Sequence, residues 1–296
     1  MNKLVCFNTS SYVPWFDYNR YEPSVMYILS LIIKNFFVND RFNLLNDYAE
    51  WNILSRNDNI EFLRNSESLS FEECCLRRTD EIIDNNENIY IMASGGVDST
   101  CVITSFLMND RLNKDSFYVL YNTTTIDEYP ELIPFLIKNG VNCIDTNMSY
   151  EILSSYSTKG CMISGFCGDC ICPLYYDNVY HNKNWRDVLA TMNVKYLNKQ
   201  LQTFKSFDLW ISQIEEYFTK LHFDIVSYRE FFKCMLYCLH YTNKLEQATL
   251  AFDNPSSHIA FYDTIPFNTY FLKRYQDIQI THYNDYGYKQ DFKKVI

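Results

Sequence analysis

The sequence contains little glycine and little proline, 7 of each among 296 residues. Together with a hydrophobic content of 47%, this scarcity excludes a disordered or low-complexity chain and predicts a folded protein with a substantial core. The length fits one large α/β domain, or such a domain with a smaller helical appendage. In a chain so poor in glycine, two adjacent glycines need a local structural reason.

Basic charge is also scarce: 26 Lys and Arg stand against 36 Asp and Glu, a formal net charge of -10. A protein that binds the nucleic-acid backbone without sequence preference needs a dense basic face. The composition therefore disfavours nucleic acid as a partner. An anionic ligand would have to be held by local backbone dipoles and a metal ion.

Long apolar runs are absent as well. The longest near the N-terminus, residues 25–33, is well below the roughly 20 residues of a membrane-spanning helix, and no signal-peptide pattern precedes it. The 11 cysteines, an odd number in a sizeable chain, indicate reduced thiols rather than a disulfide framework. We therefore expect a soluble, cytoplasmic protein with no membrane partner.

Short β-type runs alternate with helical patterns in the middle of the chain. A helix is predicted to begin at Ser70, where Glu73 completes a capping box, and strands are predicted at 89–93, 116–122 and 141–147 with helices between them. This rhythm indicates an α/β fold, a parallel sheet covered by helices on both faces. Ligands of such sheets lie beyond the carboxyl ends of the strands.

Three regions are predicted from these patterns. Residues 1–69 carry no chemical motif, although their spacing predicts helices at 24–37 and 59–65. Residues 70–184 form the α/β core. Residues 185–296 are predicted to be a helical C-terminal region that completes the site.

The stretch SGGVDST, residues 94–100, lies where the first predicted strand turns into a helix. Paired glycines let the backbone turn sharply and bring several N–H groups against an anion, and the helix N-terminus adds partial positive charge. A carboxylate here would hold Mg²⁺ that in turn holds phosphates. The simpler alternative is a glycine turn with a capping side chain. Candidate ligand-binding residues of this loop are Ser94, Gly95, Gly96, Asp98, Ser99 and Thr100, with Asp98 also a candidate metal ligand.

The pattern Ser-Gly-Gly-Val-Asp-Ser resembles the pyrophosphate-binding loop, or PP-loop, of the N-type ATP pyrophosphatases. It lacks the Gly-Lys-Ser/Thr ending of the Walker loop. The resemblance implies an adenine nucleotide alpha-hydrolase-like fold with ATP and Mg²⁺ as cofactors. Members of that superfamily cleave ATP between its α and β phosphates, adenylate an acceptor oxygen and release pyrophosphate, or bind an adenylyl compound.

A second loop, SGFCGD at residues 164–169, resembles the Gly-x-x-x-Asp element that follows the first loop in asparagine synthetase-like proteins. The resemblance implies that Gly165, Gly168 and Asp169 form a second phosphate loop, with Asp169 as a catalytic residue and second metal-binding carboxylate. Two alternatives stay open at this segment. It is a structural zinc site as in the 7-cyano-7-deazaguanine synthases, or a set of buried thiols. The cysteines concerned are Cys161, Cys167, Cys170 and Cys172.

The C-terminal third contributes three weaker features. The segment FYDTIPF resembles an element that closes the asparagine synthetase-like site, which makes Asp263 and Thr264 candidates, although a helix cap explains them equally. The resemblance also implies a late catalytic lysine that neutralises charge on the leaving phosphates, for which Lys289 is the candidate, and a solvated basic tail is the simpler interpretation. It further implies ligand contacts after the second strand, where Thr123–Thr125 are the candidates, and Asp127 or Glu128 are candidate caps of the helix that follows.

These features together predict an AMP-forming ligase or amidotransferase-type enzyme that adenylates a small-molecule carboxylic acid. A glutaminase domain is not expected, because it needs a cysteine at the mature N-terminus and Cys6 lies too far inside the chain. The nitrogen would then come from ammonia, another amine or a separate glutaminase. The alternatives are a zinc-bearing deazaguanine synthase-like enzyme, a phosphoadenylyl-sulfate reductase-like protein, or a noncatalytic adenine-nucleotide-binding module.

Overall fold

The computed structural model describes most of the predicted core and parts of the remaining chain. The described residues are 60–147, 150–165, 168, 182–192, 212, 215, 216, 218, 219, 221–235, 237, 258–277 and 295. The helix predicted at 24–37, and the candidates Asp169, Lys289, Cys167, Cys170 and Cys172, lie outside this set.

Five strands form one sheet in which every neighbouring pair is parallel. The strand order is β3-β2-β1-β4-β5, so β1 lies at the centre. The predicted α/β fold with a parallel sheet is therefore confirmed. The strands are β1 Ile89–Met92, β2 Phe117–Tyr121, β3 Asn142–Asp145, β4 Cys161–Ser164 and β5 His258–Ala260.

The described helices alternate with the first four strands and then follow them. They are α1 Ile60–Asn65, α2 Phe71–Asn85, α3 Val97–Leu107, α4 Thr123–Glu128, α5 Leu132–Lys138, α6 Tyr150–Ser157, α7 Trp185–Met192, α8 Tyr228–Met235 and α9 Ile265–Asp277. A 3-10 turn at Lys114–Ser116 leads into β2.

Helices cover both faces of the sheet, as predicted. Successive strand residues point to opposite faces, and Ile89 is paired with Phe117, so Tyr90 and Phe117 point to opposite faces. On one face Tyr90 lies against Tyr156 of α6, with ring centroids 5.1 Å apart. On the other face Phe117 lies against Phe106 of α3 at 5.5 Å.

The boundaries of α2 and α5 follow from local chemistry. The Glu73 backbone N–H donates to the Ser70 hydroxyl at 3.2 Å, and the Ser70 backbone N–H donates to the Glu73 carboxylate at 2.7 Å. This predicted capping box is confirmed, and its hydrogen bonds lower the pKa of Glu73. After α5, Gly140 adopts a φ of 77°, the left-handed conformation that often ends a helix.

Strand β5 was not predicted, because it lies within the region expected to be helical. Its three residues pair with β4, where His258 is opposite Met162. The chain divides into two compact units, one of residues 61–174 with 244–296 and the other of residues 1–60 with 175–243. The described residues 258–277 therefore belong to the unit that contains the sheet.

The second unit contains α7 and α8, which contact each other. Trp185 of α7 stacks on Phe231 of α8 with ring centroids 4.7 Å apart, and both side chains are buried. Helices are thus found in the region from 185 onward, as expected. Among the described helices of the chain, none has the length and apolar character needed to cross a membrane.

Candidate functional site

The loop after β1 owes its sharp turn to its first glycine. Gly95 has a φ of 85°, a conformation that residues with a side chain rarely adopt. A Cβ at Gly95 would also lie 2.7 Å from the Thr125 carbonyl oxygen. Both the backbone conformation and the close approach of α4 therefore require glycine at this position.

Gly96 is the N-cap of α3, and no side chain caps this helix. Helices α2 and α4 differ, since Ser70 caps α2 and Asn122 caps α4. The first amides of a helix have no partner within the helix itself. Together with the helix dipole, an uncapped N-terminus attracts an anion. The start of α3 thus has the chemistry of an anion site.

The hydroxyl groups of the loop form hydrogen bonds within the loop itself. Ser94 and Ser99 share a hydrogen bond of 2.9 Å between their hydroxyls, and Ser94 Oγ accepts from the Gly96 N–H at 3.2 Å. Thr100 Oγ1 donates to the Gly96 carbonyl at 2.9 Å. Ser99 and Thr100 are buried and Ser94 is exposed. The exposed Ser94 is the hydroxyl best placed to meet a ligand, while the other two organise the turn.

Helix α4 packs directly over this loop. The buried Thr125 hydroxyl donates to the Ala93 carbonyl at 2.6 Å, at the end of β1. Asn122 and Thr125 form a capping box that starts α4. The next helix, α5, has Glu131 as its N-cap and no side-chain capping bond, so the prediction that Asp127 or Glu128 caps it is wrong. The two acids lie at the C-terminal end of α4 instead. Thr125 is thus a structural contact, and Thr123 and Thr124 are exposed.

The loop after β4 contacts the start of α3. A Cβ at Gly165 would lie 2.9 Å from the Ser99 backbone nitrogen, and a Cβ at Gly168 would lie 2.5 Å from Cγ of Asp98. Side chains larger than glycine would collide with these atoms. The structure therefore brings together the described candidates from both predicted loops: Ser94, Gly95, Gly96, Asp98, Ser99, Thr100, Gly165 and Gly168.

This meeting point is the topological switch of the sheet. The chain runs from β1 outward through β2 and β3, then crosses to β4 and β5 on the other side. The chain therefore leaves β1 and β4 towards opposite edges of the sheet, and ligands of open parallel sheets bind in the crevice at such a point, beyond the carboxyl ends of the strands. Asp98, in the first turn of α3, is the described carboxylate of the first loop at this switch point, and a carboxylate is a ligand type that Mg²⁺ accepts.

The described residues give no support to a preformed metal cluster. No group of three or more His, Cys, Asp or Glu is placed to hold a metal ion within the described ranges. Of the four cysteines proposed for zinc, only Cys161 is described; it is buried in β4, and burial raises the pKa of its thiol to about 12. A neutral thiol of this kind fits the buried-thiol interpretation for that one residue.

Sequence reasoning missed Tyr262 as a neighbour of the first loop. Its phenol donates to the Asp98 carbonyl at 2.8 Å, and the side chain is fully buried. The segment FYDT had directed attention to Asp263 and Thr264, the next two residues. Thr264 immediately precedes α9, and its carbonyl accepts a hydrogen bond from the Asn268 N–H. A buried tyrosine hydroxyl usually forms a hydrogen bond, so the presence of Tyr262 in this apolar segment could have indicated a polar contact.

Sequence reasoning also missed a pair of interacting side chains beside the second loop. His258 Nε2 and Ser164 Oγ are 3.0 Å apart, and Ser164 immediately precedes Gly165. Burial lowers the pKa of His258 to about 4, so the imidazole is neutral near pH 7. The pair joins β4 to β5 by a polar contact in the core. No sequence pattern signals it, because the two residues are far apart in the chain.

The chain matches none of the known protein-family models with which it was compared, and no curated protein resembles it significantly.

Proposed function

We propose that the crevice between the loops after β1 and β4 binds the phosphates of magnesium-chelated ATP, and that the protein is an AMP-forming ligase of the PP-loop type. The observation that carries this proposal is the contact between the two loops. Gly165 and Gly168 approach Ser99 and Asp98 so closely that only glycine fits. Two sequence-remote, glycine-dependent loops at a topological switch point are what a phosphate site in such a sheet requires.

The residues of the first loop have distinct roles in this proposal. The Gly95 amide and the uncapped start of α3 bind phosphate oxygens, and the Gly96 amide joins them by exchanging its hydrogen bond to Ser94 Oγ for the ligand. The Ser94 hydroxyl adds a donor. Asp98 chelates the cation, and Mg²⁺ would neutralise charge on the phosphates. Tyr262 orients the first turn of α3 through its hydrogen bond to the Asp98 carbonyl.

The proposed reaction is adenylation of a small carboxylic acid. A carboxylate oxygen forms a bond to the α-phosphorus while the bond from that phosphorus to the bridging oxygen breaks, and pyrophosphate leaves with both electrons of that bond. Alignment and charge neutralisation supply most of the rate enhancement in transfers of this kind. The same proposal includes Asp169 as the second metal-binding carboxylate and Lys289 as the counter-charge for the leaving group. It also includes a separate source of ammonia or amine.

The test is product analysis. The protein is incubated with ATP, Mg²⁺ and a panel of small carboxylic acids, and phosphorus NMR follows the products. We expect AMP and pyrophosphate in equal amounts with at least one acid, a loss of about a hundredfold or more in Asp98→Asn, and no change in Asp110→Asn, an exposed acid outside the loop.

The alternatives give different products. ADP with phosphate, or AMP formation that survives Asp98→Asn, would contradict the assignment. Binding of ATP without pyrophosphate release for any acid in the panel would instead indicate a noncatalytic nucleotide-binding module.

A further inference from the structure

We propose that Glu128 is an anionic cover of the loop after β1, a carboxylate that occupies the approach to the anion site and swings out when a phosphate ligand enters. This inference rests on the proposed function, because it assigns a regulatory residue to the same site. Glu128 is the last residue of α4, the helix that packs on the loop.

The position of Glu128 is fixed by the backbone. A Cβ added at Gly95 would lie 3.0 Å from Cβ of Glu128, and a Cβ added at Gly96 would lie 3.3 Å from its Oε1. The hydrogen bond from Thr125 to the Ala93 carbonyl, together with the Asn122 cap, ties α4 to the end of β1. The fold therefore places the Cβ of Glu128 beside the loop, and in this conformation the carboxylate reaches Gly96.

The carboxylate has no stabilising partner to account for this position. Among the described residues, none forms a hydrogen bond or an ion pair with the Glu128 side chain. Its side chain is exposed, so it can rotate away from the loop at little cost. An unpaired negative charge at an electropositive helix start is attracted to the loop in the absence of ligand. The same charge repels an incoming phosphate.

The expected consequence is selectivity for cation-neutralised phosphate. Two unit charges about 5 Å apart change an affinity by about fourfold at the dielectric constant of bulk water and by more at the lower effective dielectric near a protein surface, and each further charge on the ligand adds to the effect. A phosphate ligand that carries a bound divalent cation has less charge to be repelled. Glu128 thus weakens binding of free anions more than binding of their magnesium complexes.

The experiment is titration calorimetry with inorganic pyrophosphate, in Mg²⁺ and in EDTA, on the full chain. Glu128→Gln keeps the size of the side chain and removes its charge. We expect it to bind pyrophosphate about tenfold more tightly than wild type in EDTA, with a smaller gain in Mg²⁺. The gain should shrink in 0.5 M NaCl because salt screens exposed charges.

The matched control is Asp127→Asn, the preceding residue of the same helix, which removes an equal charge that does not face the glycines. We expect a change of less than about twofold in this variant. Glu128→Ala is the second test variant if the glutamine variant folds poorly, and it should show the same gain.

The possible outcomes separate this inference from the proposed function. If Glu128→Gln binds pyrophosphate no more tightly than wild type, or if Asp127→Asn gains as much affinity, the role of Glu128 as a cover is overturned. Binding of pyrophosphate by wild type in the same experiment would still support the phosphate site. If neither pyrophosphate nor ATP binds to wild type or to either variant, both proposals fall.

Discussion

At the scale of single residues, the site depends on glycines, whose lack of a side chain leaves room for neighbouring groups. Gly168 leaves room for the Asp98 carboxylate, since a Cβ there would lie 2.5 Å from its Cγ and 2.8 Å from Oδ2. A short side chain such as Asp98 cannot keep its position against such a contact. A single methyl group at residue 168 is therefore sufficient to displace the proposed metal ligand.

The first prediction follows from this contact. Gly168→Ala should weaken Mg²⁺-dependent binding of ATP at least tenfold and destabilise the fold by about 1–3 kcal/mol, because the added methyl overpacks the crevice. Gly140→Ala is the control: its φ of 77° costs about 1–2 kcal/mol in alanine, yet no atom lies within 4 Å of the added Cβ. Calorimetry and thermal unfolding measure both effects. Equal ATP affinity in the two variants would contradict the role of Gly168.

The second residue-scale prediction concerns pH. Because burial lowers the pKa of His258 from 6.5 to about 4, the unfolded chain binds a proton that the folded chain does not between these values. Stability should therefore be complete above pH 6.5 and fall as the pH drops towards 4, by up to about 3 kcal/mol from this group. Urea unfolding across this range should show a shallower slope for His258→Gln than for wild type.

The control for this pH series is His222→Asn. His222 is exposed and has a φ of 53°, which asparagine tolerates well. Its substitution should leave the slope of stability against pH unchanged. An identical slope in wild type and His258→Gln would show that the buried imidazole does not control acid stability.

At the scale of elements, the capping box at Ser70 defines the start of α2, the helix that precedes β1. Helix α2 runs directly towards β1, and its capping box satisfies two N-terminal amides. We predict that Ser70→Ala lowers the free energy of unfolding by about 1 kcal/mol, whereas Ser70→Asp retains most of it. Ser68→Ala, outside the helix, should have no effect. Thermal unfolding of the three variants measures this, and a loss in Ser68→Ala equal to that in Ser70→Ala would contradict the capping role.

The elements that sequence predicts are those specified locally. The capping box at Ser70 and the apolar run at β1 depend on residues within a few positions of each other. The segment of α4 was instead interpreted as ligand-binding threonines and capping acids, because the decisive contact, Thr125 with the Ala93 carbonyl, joins residues 32 positions apart. Strand β5 has only three residues, and its pairing with β4 joins segments about a hundred residues apart, so no local pattern specifies it.

The site shows the same division. The glycines and Asp98 could be found from sequence because a strand-to-helix turn is a local feature. Tyr262 could not, because its hydrogen bond to the Asp98 carbonyl depends on β5 and the turn after it. Nor could Glu128, whose place beside Gly96 follows from how α4 packs on the loop.

At the scale of the whole molecule, net charge opposes the proposed ligand. The chain carries a formal charge of -10, and magnesium-bound ATP is also negative. Among the described residues, the short-range dipoles of the loop and the start of α3 would attract the phosphates, and these act over a few ångströms. At larger distances the summed field of the protein repels the ligand, so the rate of encounter and the strength of the final contact respond oppositely to salt.

This opposition gives the last prediction. The association rate constant of a fluorescent ATP analogue at fixed Mg²⁺ should rise several-fold as NaCl increases, because the screening length falls from roughly 30 Å at 0.01 M to about 10 Å at 0.1 M. A fluorescent adenosine analogue lacks phosphate charge and should associate at a rate independent of salt. Stopped-flow mixing measures both. A rate for the ATP analogue that falls with salt would mean that positive charge near the crevice dominates the field of the whole chain.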